Sequence, residues 1–321
     1  MKKILTGSRK SPLAIAQTRL IIQAIREKFS DLEFEIVPIE THGDKNFSSG
    51  IKNTFTYEIE QALLNNKIDF AVHSLKDLSL CTNPELPVIA YYKREDPRDA
   101  LILKNDFDLN ALHFDKNIIL GTSSLRRKMQ LEKLYANALV KPLRGNINTR
   151  LNKLNDDANN YSGIILAMAG LKRLGLENHV NKIFSVDEIV PAAGQGILIC
   201  QGRAGGDYFY LDAINDNNTK FCALTERKFV SAFGTGCDVP AGAFCVVVNV
   251  VAKNEWANEN LLDEKMIGQK NIFKFVGYYN GIKKFLSGEF SGDLALNFDY
   301  ASEIGERLAE NILNENECGK Y

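Results

Sequence analysis

The sequence lacks several features that would assign it to a common class of protein. No apolar run in its 321 residues approaches the roughly 20 residues that a membrane-spanning helix needs. The apolar run that follows the N-terminal lysines is too short for the core of a signal peptide, so we expect a cytoplasmic protein. A net charge of −1 gives no indication of binding to nucleic acid or to an anionic membrane.

Signatures of common cofactors and metals are absent too. The chain contains neither G-x-G-x-x-G nor G-x-x-x-x-G-K-[ST], so we expect no dinucleotide and no nucleoside triphosphate. Its six cysteines form no C-x-x-C pair and no metal-ligand spacing with the four histidines, so we expect no metal. Free thiols are the default in a reducing compartment, and Cys200 and Cys245 lie in apolar segments typical of buried core cysteines.

What is present is a soluble globular composition with alternating strand and helix patterns. A chain of this length, 45% hydrophobic and 25% charged, is expected to form two or three domains. Strand, helix and strand alternate over residues 4–74 and again over 117–176, which predicts mostly parallel sheets. After about residue 217 the pattern changes to antiparallel strands followed by a helix at 300–314. The sequence therefore predicts an α/β fold, with two α/β domains and a third, smaller α+β domain.

Cationic segments recur where the predicted strands end. In open α/β sheets, ligands bind beyond the carboxyl ends of the strands. Arginine and the positive end of a helix both favour anions, although one such segment is most often a capped, solvated helix. Repetition instead predicts a basic cleft between the two α/β domains, for a ligand with many negative charges. The segments are GSRKS (7–11), HSLKD (73–77), GTSSLRR (121–127), LRGNINTR (143–150) and MAGLKR (168–173).

Two residues have competing interpretations. Asp77 is a carboxylate among cations, and it is either a salt-bridge partner of Lys76 or Arg126, or a general acid or counter-ion for a cationic intermediate. Cys237 lies in the glycine-rich segment FGTGCDVPAGA (233–243), where a loop offers the thiol no apolar face. A covalent or nucleophilic role and an ordinary loop cysteine both remain open on the residues alone.

Eight motifs, in chain order, resemble the porphobilinogen deaminase (hydroxymethylbilane synthase) family. The resemblance covers at least residues 4–242, and the long motifs around residues 121–127, 143–151 and 169–176 are highly specific. The motifs are SRKSPLA (8–14), HSLKD (73–77), REDPRDA (94–100), GTSSLRR (121–127), LRGNINTRL (143–151), AGLKRLGL (169–176), PAAGQG (191–196) and GCDVPAG (236–242).

This resemblance implies a particular domain arrangement. Two periplasmic-binding-protein-like α/β domains would comprise residues 1–94 plus about 196–215, and residues 98–193. A third, smaller α+β domain at 217–321 would carry the cysteine loop. A solute-binding protein shares the first two domains in fold, but it would need a signal peptide or anchor and has no use for a third domain with a loop cysteine.

The resemblance also implies an activity. A transferase of this family joins four porphobilinogen molecules head to tail, with loss of ammonia, onto a dipyrromethane primer held by a thioether to Cys237. Hydrolysis then releases hydroxymethylbilane for tetrapyrrole (haem) biosynthesis. We therefore expect a cytoplasmic monomer that passes its product to uroporphyrinogen-III synthase and that binds neither nucleic acid nor membrane. A cysteine-dependent acyl transferase would want a histidine near Cys237, and His73 is the only histidine in a motif.

Finally, the resemblance implies roles for individual residues. Asp77 would be the catalytic carboxylate, with Thr122 and Ser124 assisting carboxylate binding. The residues implied to bind the cofactor are Cys237, Lys76, Asp77, Ser123, Arg126, Arg127, Arg144 and Gly145. Those implied to bind substrate are Arg9, Ser11, Arg150, Arg173, Ala169 and Gln195. Residues 45–54 form a shorter segment than the lid of many family members, and we assign no contact to Lys45 or Lys52.

Overall fold

Three β-sheets, with helices packed on them, make up the described part of the chain. A computed structural model describes residues 3–41, 56–80, 83–105, 107–113, 117–234, 239–250, 270–291 and 297–318. The strands are β1 (Ile4–Arg9), β2 (Phe34–Ile39), β3 (Phe70–Ser74), β4 (Val88–Tyr92), β5 (Asp99–Leu103), β6 (Ile119–Gly121), β7 (Leu139–Lys141), β8 (Gly163–Ala167), β9 (Lys182–Ile183), β10 (Leu198–Gly202), β11 (Ala241–Val250), β12 (Lys270–Tyr279) and β13 (Ile282–Ser291).

Eight α-helices connect or cover these strands within the described residues. Short 3₁₀ turns add to them, including one at Leu75–Asp77 directly after β3. The helices are α1 (Pro12–Arg26), α2 (Tyr57–Leu64), α3 (Leu125–Leu134), α4 (Ile147–Asn155), α5 (Met168–Arg173), α6 (Phe209–Asp212), α7 (Asn217–Ser231) and α8 (Phe298–Cys318).

The first two sheets have the same mixed construction. The first has the strand order β2-β1-β3-β10-β4, and the second has the order β7-β6-β8-β5-β9. In each sheet, two pairings are parallel and two are antiparallel, but four of the five strands run in the same direction, so the expectation of mostly parallel sheets is confirmed. The antiparallel pairings involve β10 and β5, the strands through which the chain enters each sheet from the other one. No crossover helix within a sheet precedes them, so nothing imposes a parallel direction.

Local sequence chemistry explains where the helices begin. The Ser11 hydroxyl caps α1 by accepting a hydrogen bond from the Ala14 amide at 3.2 Å, and Pro12 occupies the first turn, where no amide hydrogen is needed. Ile21 and Ile25, four residues apart on one face of α1, are fully buried against the first sheet. The helix therefore fixes the backbone directly after β1, where a cationic segment was predicted.

The third sheet is antiparallel, in the order β11-β12-β13, with one face covered by α7 and α8. Phe221, Phe229 and Phe275 are fully buried between the sheet and the helices. The predicted antiparallel strands and final helix are thus confirmed, and with them the mixed α/β class with a smaller α+β part. No helix in the described part of the chain is long and apolar enough to cross a membrane.

Two connecting segments, residues 93–98 and 191–197, run between the first two sheets, and the second contains a turn at residues 193–196. The Glu95 amide donates to the Gly196 carbonyl at 3.2 Å, which holds the two segments side by side. Gly196 has a φ of +89°, and a Cβ there would lie 2.3 Å from the Glu95 carbonyl oxygen, so only glycine fits. This close pairing sets the spacing between the two sheets at the place where the site residues gather.

Candidate functional site

The carboxyl ends of strands from the first and second sheets approach each other. Helix α1, which follows β1, contacts α5, which follows β8. A Cβ on Gly170 of α5 would lie 3.7 Å from the Leu13 side chain of α1 and 3.0 Å from Ile147. The cationic segments after β1 and β8 therefore lie next to each other, where the sequence predicts a basic cleft.

At the centre of this region lies a buried carboxylate that sequence reasoning missed. Asp99, the first residue of β5, is 0% exposed. Its Oδ2 accepts a hydrogen bond from Arg126 Nη2 at 2.9 Å, and its Oδ1 accepts one from Arg127 Nη2 at 2.6 Å. Each arginine also donates through Nη1 to a main-chain carbonyl, that of Val190 at 2.6 Å for Arg126 and that of Ile165 at 3.0 Å for Arg127.

Gln195 joins this buried group to Lys76. Its Nε2 donates to Asp99 Oδ1 at 2.8 Å and to the Pro97 carbonyl at 2.7 Å, and its Oε1 accepts from Lys76 Nζ at 3.3 Å. Gln195 is 1% exposed and belongs to the segment that returns to the first sheet. We call Asp99, Arg126, Arg127, Gln195 and Lys76 the Asp99 cluster.

Charge and burial perturb the pKa values within the Asp99 cluster. Burial alone would raise the pKa of Asp99, but the guanidiniums of Arg126 and Arg127 and their hydrogen bonds hold it well below its usual range. Lys76 is reached by water, yet protein atoms crowd around it, and this loss of solvation lowers its pKa to about 8. The charge of Asp77 acts in the opposite direction on Lys76, and Arg127 acts in the same direction as the loss of solvation.

Asp77 and Arg150 lie at the open side of this cluster. Asp77 is exposed at the end of the 3₁₀ turn after β3, next to Lys76. Arg150, in α4, donates through Nε to the Gly145 carbonyl at 2.7 Å. Burial, together with the nearby Arg127, lowers the Arg150 pKa to about 10, while Asp77 acts to raise it. The carboxylate predicted to be catalytic therefore faces cations from both sheets and remains accessible to a ligand.

Two further predicted arginines border the cleft. Arg173, at the end of α5, donates through Nη2 to the Gly196 carbonyl at 2.6 Å, and its buried Nε has no hydrogen-bond partner among the described residues. Burial lowers the Arg173 pKa to about 10, so the guanidinium stays charged at neutral pH. Arg9 is half-buried at the end of β1, close to the buried His73. Burial and the charge of Arg9 lower the His73 pKa to about 4, so this imidazole is neutral.

The predicted hydroxyl residues form hydrogen bonds with the local backbone. Ser124 caps α3 by accepting a hydrogen bond from the Arg127 amide at 3.4 Å, and the buried Thr122 accepts one from the Ser124 amide at 3.2 Å. The exposed Ser123 donates to the Leu143 carbonyl at 3.0 Å, which ties the turn after β6 to the turn after β7. These contacts orient the helix that carries Arg126 and Arg127.

The remaining predicted residues lie around this turn and on α5. Gly145 has a φ of +125°, and a Cβ there would lie 2.8 Å from the Thr149 side chain, so the tight turn before α4 requires glycine. Arg144 is exposed beside it, and Ala169 is buried in α5. Both Cys237 and the segment 45–54 lie outside the described residues.

A second buried ion pair links the connecting segments to the third sheet. Both guanidinium Nη atoms of Arg94 donate to the fully buried Glu226 of α7, with Nη2 3.2 Å from Oε2. Glu226 also accepts hydrogen bonds from the Gly194 amide at 2.7 Å and from the Cys245 amide at 2.8 Å. We call Arg94, Glu226, Gly194 and Cys245 the Glu226 cluster.

A local sequence signal for Asp99 exists, but it is weak. REDPRDA contains three acidic residues, which the sequence analysis assigned no separate roles. Only Asp99 directly precedes a run of apolar residues, ALIL (100–103), which forms the buried strand β5. A carboxylate at the start of a buried strand must be paired, and this consideration could have singled it out.

Comparisons of the sequence with known proteins identify a family. The family model described as "Porphobilinogen deaminase, dipyromethane cofactor binding domain" matches residues 4–209. The porphobilinogen deaminase of Ruminiclostridium josui is 42% identical over 288 residues, covering 87% of this chain and 96% of that protein. The porphobilinogen deaminase of Coxiella burnetii is 35% identical over 324 residues, covering 98% of each.

Solved structures show a more distant likeness. The effector-binding domain of a BenM variant has a TM-score of 0.40 at 16% identity, covering 68% of this chain and 93% of that one. A substrate-binding domain of a putative amino acid ABC transporter from Streptococcus pneumoniae has a TM-score of 0.41 at 13% identity, covering 67% and 90%. These scores carry no argument about function, whereas the extent of the sequence match does: the chain belongs to the porphobilinogen deaminase family.

Proposed function

We propose that this chain is an active porphobilinogen deaminase. The enzyme is a transferase that joins four porphobilinogen molecules head to tail, with loss of ammonia, onto a covalently bound dipyrromethane, and then releases hydroxymethylbilane by hydrolysis. The observation that carries the proposal is the exposed Asp77 beside Lys76 and Arg150, next to a buried pair of guanidiniums that share one carboxylate.

The cofactor fits the donors of this cleft. Each porphobilinogen unit carries an acetate and a propionate, so cofactor and product together form a polyanion. Arg127 Nε and Arg173 Nε are buried donors without a partner among the described residues, and a carboxylate oxygen would satisfy each of them. When bound, the dipyrromethane supplies the free pyrrole α-carbon to which the first porphobilinogen is joined.

Several residues would bind the carboxylates of cofactor and substrate. We assign Lys76, Ser123, Arg126, Arg127, Arg144 and Gly145 to the cofactor, and Arg9, Ser11, Arg150, Arg173, Ala169 and Gln195 to the substrate. Their support is unequal. Lys76, Arg150 and Arg173 keep side chains that border the cleft, whereas the Ser11 hydroxyl already caps α1 and Gln195 is fully engaged with protein groups.

Asp77 would supply the negative charge that the reaction needs. Loss of ammonia from porphobilinogen leaves a cation, and a fixed carboxylate next to it stabilises the developing positive charge. Lys76 and Arg150, two cations near Asp77, would orient the substrate carboxylates around it. Asp77 can also accept the proton that is lost when the new bond forms.

We further propose the wider setting of the enzyme. The strands of each sheet support three domains, comprising residues 1–94 plus about 196–215, 98–193 and 217–321. The free, buried thiols of Cys200, Cys222 and Cys245 are consistent with the reducing cytoplasm. The Asp99 cluster is complete within one chain, which fits a monomer. Uroporphyrinogen-III synthase would receive the product.

Replacing Cys237 tests the proposal directly. Purified wild-type protein should exceed its sequence mass by two deaminated porphobilinogen units and should form tetrapyrrole from porphobilinogen. Cys237→Ser should fold with an unchanged melting temperature, carry no adduct that survives denaturation, and show no turnover. Cys245→Ser is the matched control, because that thiol is buried in the third core and should leave the adduct in place. An adduct that maps to Cys222 or Cys245 would contradict the proposal.

A further inference from the structure

Asp99 makes no contact that a ligand could share. It is fully buried, and three side chains donate to its two oxygens: Arg126, Arg127 and Gln195, at 2.9, 2.6 and 2.8 Å. Of those three side chains, Gln195 contacts Lys76, and Arg127 has an Nε without a partner among the described residues. Asp99 can therefore influence the reaction only through the groups that it holds and through its own charge.

Each arginine is fixed at two points, one of which is Asp99. The second point is a main-chain carbonyl, of Val190 for Arg126 and of Ile165 for Arg127. A guanidinium held at both Nη atoms has little rotational freedom, so its other N–H groups are presented in fixed directions. For Arg127 one of these is at Nε, which is buried and has no partner in the described part of the chain.

Asp99 also determines how Gln195 meets Lys76. Because Gln195 Nε2 has two acceptors, Asp99 Oδ1 and the Pro97 carbonyl, its amide can only turn Oε1 towards Lys76. The Lys76 ammonium thus donates to an oxygen whose orientation is set by Asp99. The charged groups that act on Lys76 are Asp77, Asp99, Arg126 and Arg127, two of each sign.

We propose that Asp99 is a positioning residue, which holds Arg126, Arg127 and Gln195 as one unit and, through Gln195 and its own charge, keeps Lys76 protonated for carboxylate binding. The purpose of this positioning rests on the proposed function, but the effect of Asp99 on Lys76 can be measured without turnover. A purely structural role for Asp99 would affect folding and would leave the titration of Lys76 unchanged.

The sign of the expected effect follows from charge. A negative Asp99 stabilises the Lys76 ammonium, so Asp99→Asn removes that stabilisation and lowers the Lys76 pKa further below its present value of about 8. Lys76 then loses its charge at lower pH. Gln195→Glu has the opposite sign, because it places a second negative charge next to the ammonium and raises the pKa.

The experiment measures acylation of Lys76 by acetic anhydride across a pH series, read by peptide mass spectrometry on the full-length purified protein. Lys128 is the internal reference, because it lies exposed on α3, where its ammonium makes a surface ion pair with Glu132. In Asp99→Asn, the pH midpoint for Lys76 should fall by roughly half to one unit. The alkaline limit of tetrapyrrole formation should fall with it, and Asp99→Glu, which keeps the charge, should restore both.

Asp96→Asn is the matched control. Asp96 lies three residues earlier and accepts two hydrogen bonds from the Arg98 guanidinium, at 2.9 and 2.7 Å, but this pair is partly exposed. The Lys76 midpoint should not move in this variant. A folded Asp99→Asn protein with a wild-type midpoint would overturn the proposal.

A second variant decides the question if Asp99→Asn fails to fold. Gln195→Glu should then raise the Lys76 midpoint, and an unchanged or lowered midpoint would overturn the proposal. The proposed function fails separately: a wild-type protein that forms no tetrapyrrole would contradict it, while the acylation result would still stand.

Discussion

Two buried ion-pair clusters each include residues of the connecting segments, and they differ in how their charges balance. The Asp99 cluster places two guanidiniums on one carboxylate, and Arg127 Nε is left without a partner among the described residues. The Glu226 cluster places one guanidinium on one carboxylate, and the amides of Gly194 and Cys245 complete the acceptor. The first has an excess of positive charge, and the second is neutral.

This difference separates binding from architecture. Burying a charge costs free energy, and full pairing within the protein offsets that cost. The Glu226 cluster meets this condition without any ligand, so it serves to join the connecting segments to the third sheet. The Asp99 cluster meets it only in part, and an anionic ligand would complete it. Comparing the donors and charge of a buried arginine with the acceptors around it therefore indicates whether it serves ligand binding or architecture.

Removing Glu226 should have the largest effect, on stability. Glu226→Ala leaves the Arg94 guanidinium buried without a counter-charge and the Gly194 and Cys245 amides without an acceptor. The free energy of unfolding should fall by about 3–5 kcal/mol, measured by urea denaturation. Glu306→Ala is the control, because it breaks an exposed pair with Lys228 on the same helix pair and should cost at most about 1 kcal/mol.

If Glu226→Ala lowers the free energy of unfolding no more than the control does, this result contradicts the assignment of the Glu226 cluster to architecture. Excess anion affinity in the Glu226→Ala protein, with little loss of stability, would have the same consequence, since it would make the two clusters alike.

Asp77 tests the binding side of the comparison, because its replacement should lower the reaction rate and not the stability. Asp77→Asn keeps the shape of the side chain and removes its charge, so tetrapyrrole formation should slow by roughly 10²–10³-fold. Asp77 is exposed, so the melting temperature should change little. Asp77→Glu should keep part of the activity and accumulate enzyme-bound pyrrole intermediates, visible by intact mass.

Near wild-type turnover in a folded Asp77→Asn protein would leave Asp77 as a surface salt-bridge partner. The exposed Asp157, which pairs with Lys104, provides the control because neither residue belongs to the eight motifs: Asp157→Asn should leave turnover unchanged.

Local patterns in the sequence predicted the cationic strand ends and the class of fold. Ser11 with Pro12, and Ser124 before Leu125, are start signals that act over three or four residues, so they could be read directly. The mixed direction of the sheets could not be read in this way, because β5 and β10 pair according to which sheet the chain enters. That choice depends on contacts between residues far apart in sequence.

The pairing within the two clusters is equally long-range. Asp99 meets Arg126 and Arg127 across 27 and 28 residues, and Gln195 across 96. The resemblance to a family singled out the arginines because they lie in recognisable motifs. Only the apolar run that directly follows Asp99, a weak signal, indicates which of the carboxylates Glu95, Asp96 and Asp99 is buried beneath them.

Paired arginine-to-lysine substitutions should give the smallest effects and the sharpest contrast. Lysine keeps the charge but lacks the planar fork, so Arg127→Lys cannot contact Asp99 and the Ile165 carbonyl while still presenting an Nε donor to a ligand. Loss of one charge-assisted hydrogen bond corresponds to roughly a tenfold slower elongation, with apo-protein or stalled intermediates visible by intact mass.

In Arg94→Lys the same chemical change falls on the neutral cluster, so the free energy of unfolding should fall by about 1–3 kcal/mol while the rate per cofactor-loaded enzyme stays within about twofold. Rate and stability should therefore move separately in the two variants, because Arg127 Nε has no acceptor among the described residues, whereas Arg94 Nε donates to the Gln195 carbonyl at 2.9 Å. Equal losses of rate in both variants would mean that the count of charges and donors does not distinguish the clusters. Wild-type mass profiles and rates in Arg127→Lys would remove this arginine from the carboxylate-binding site.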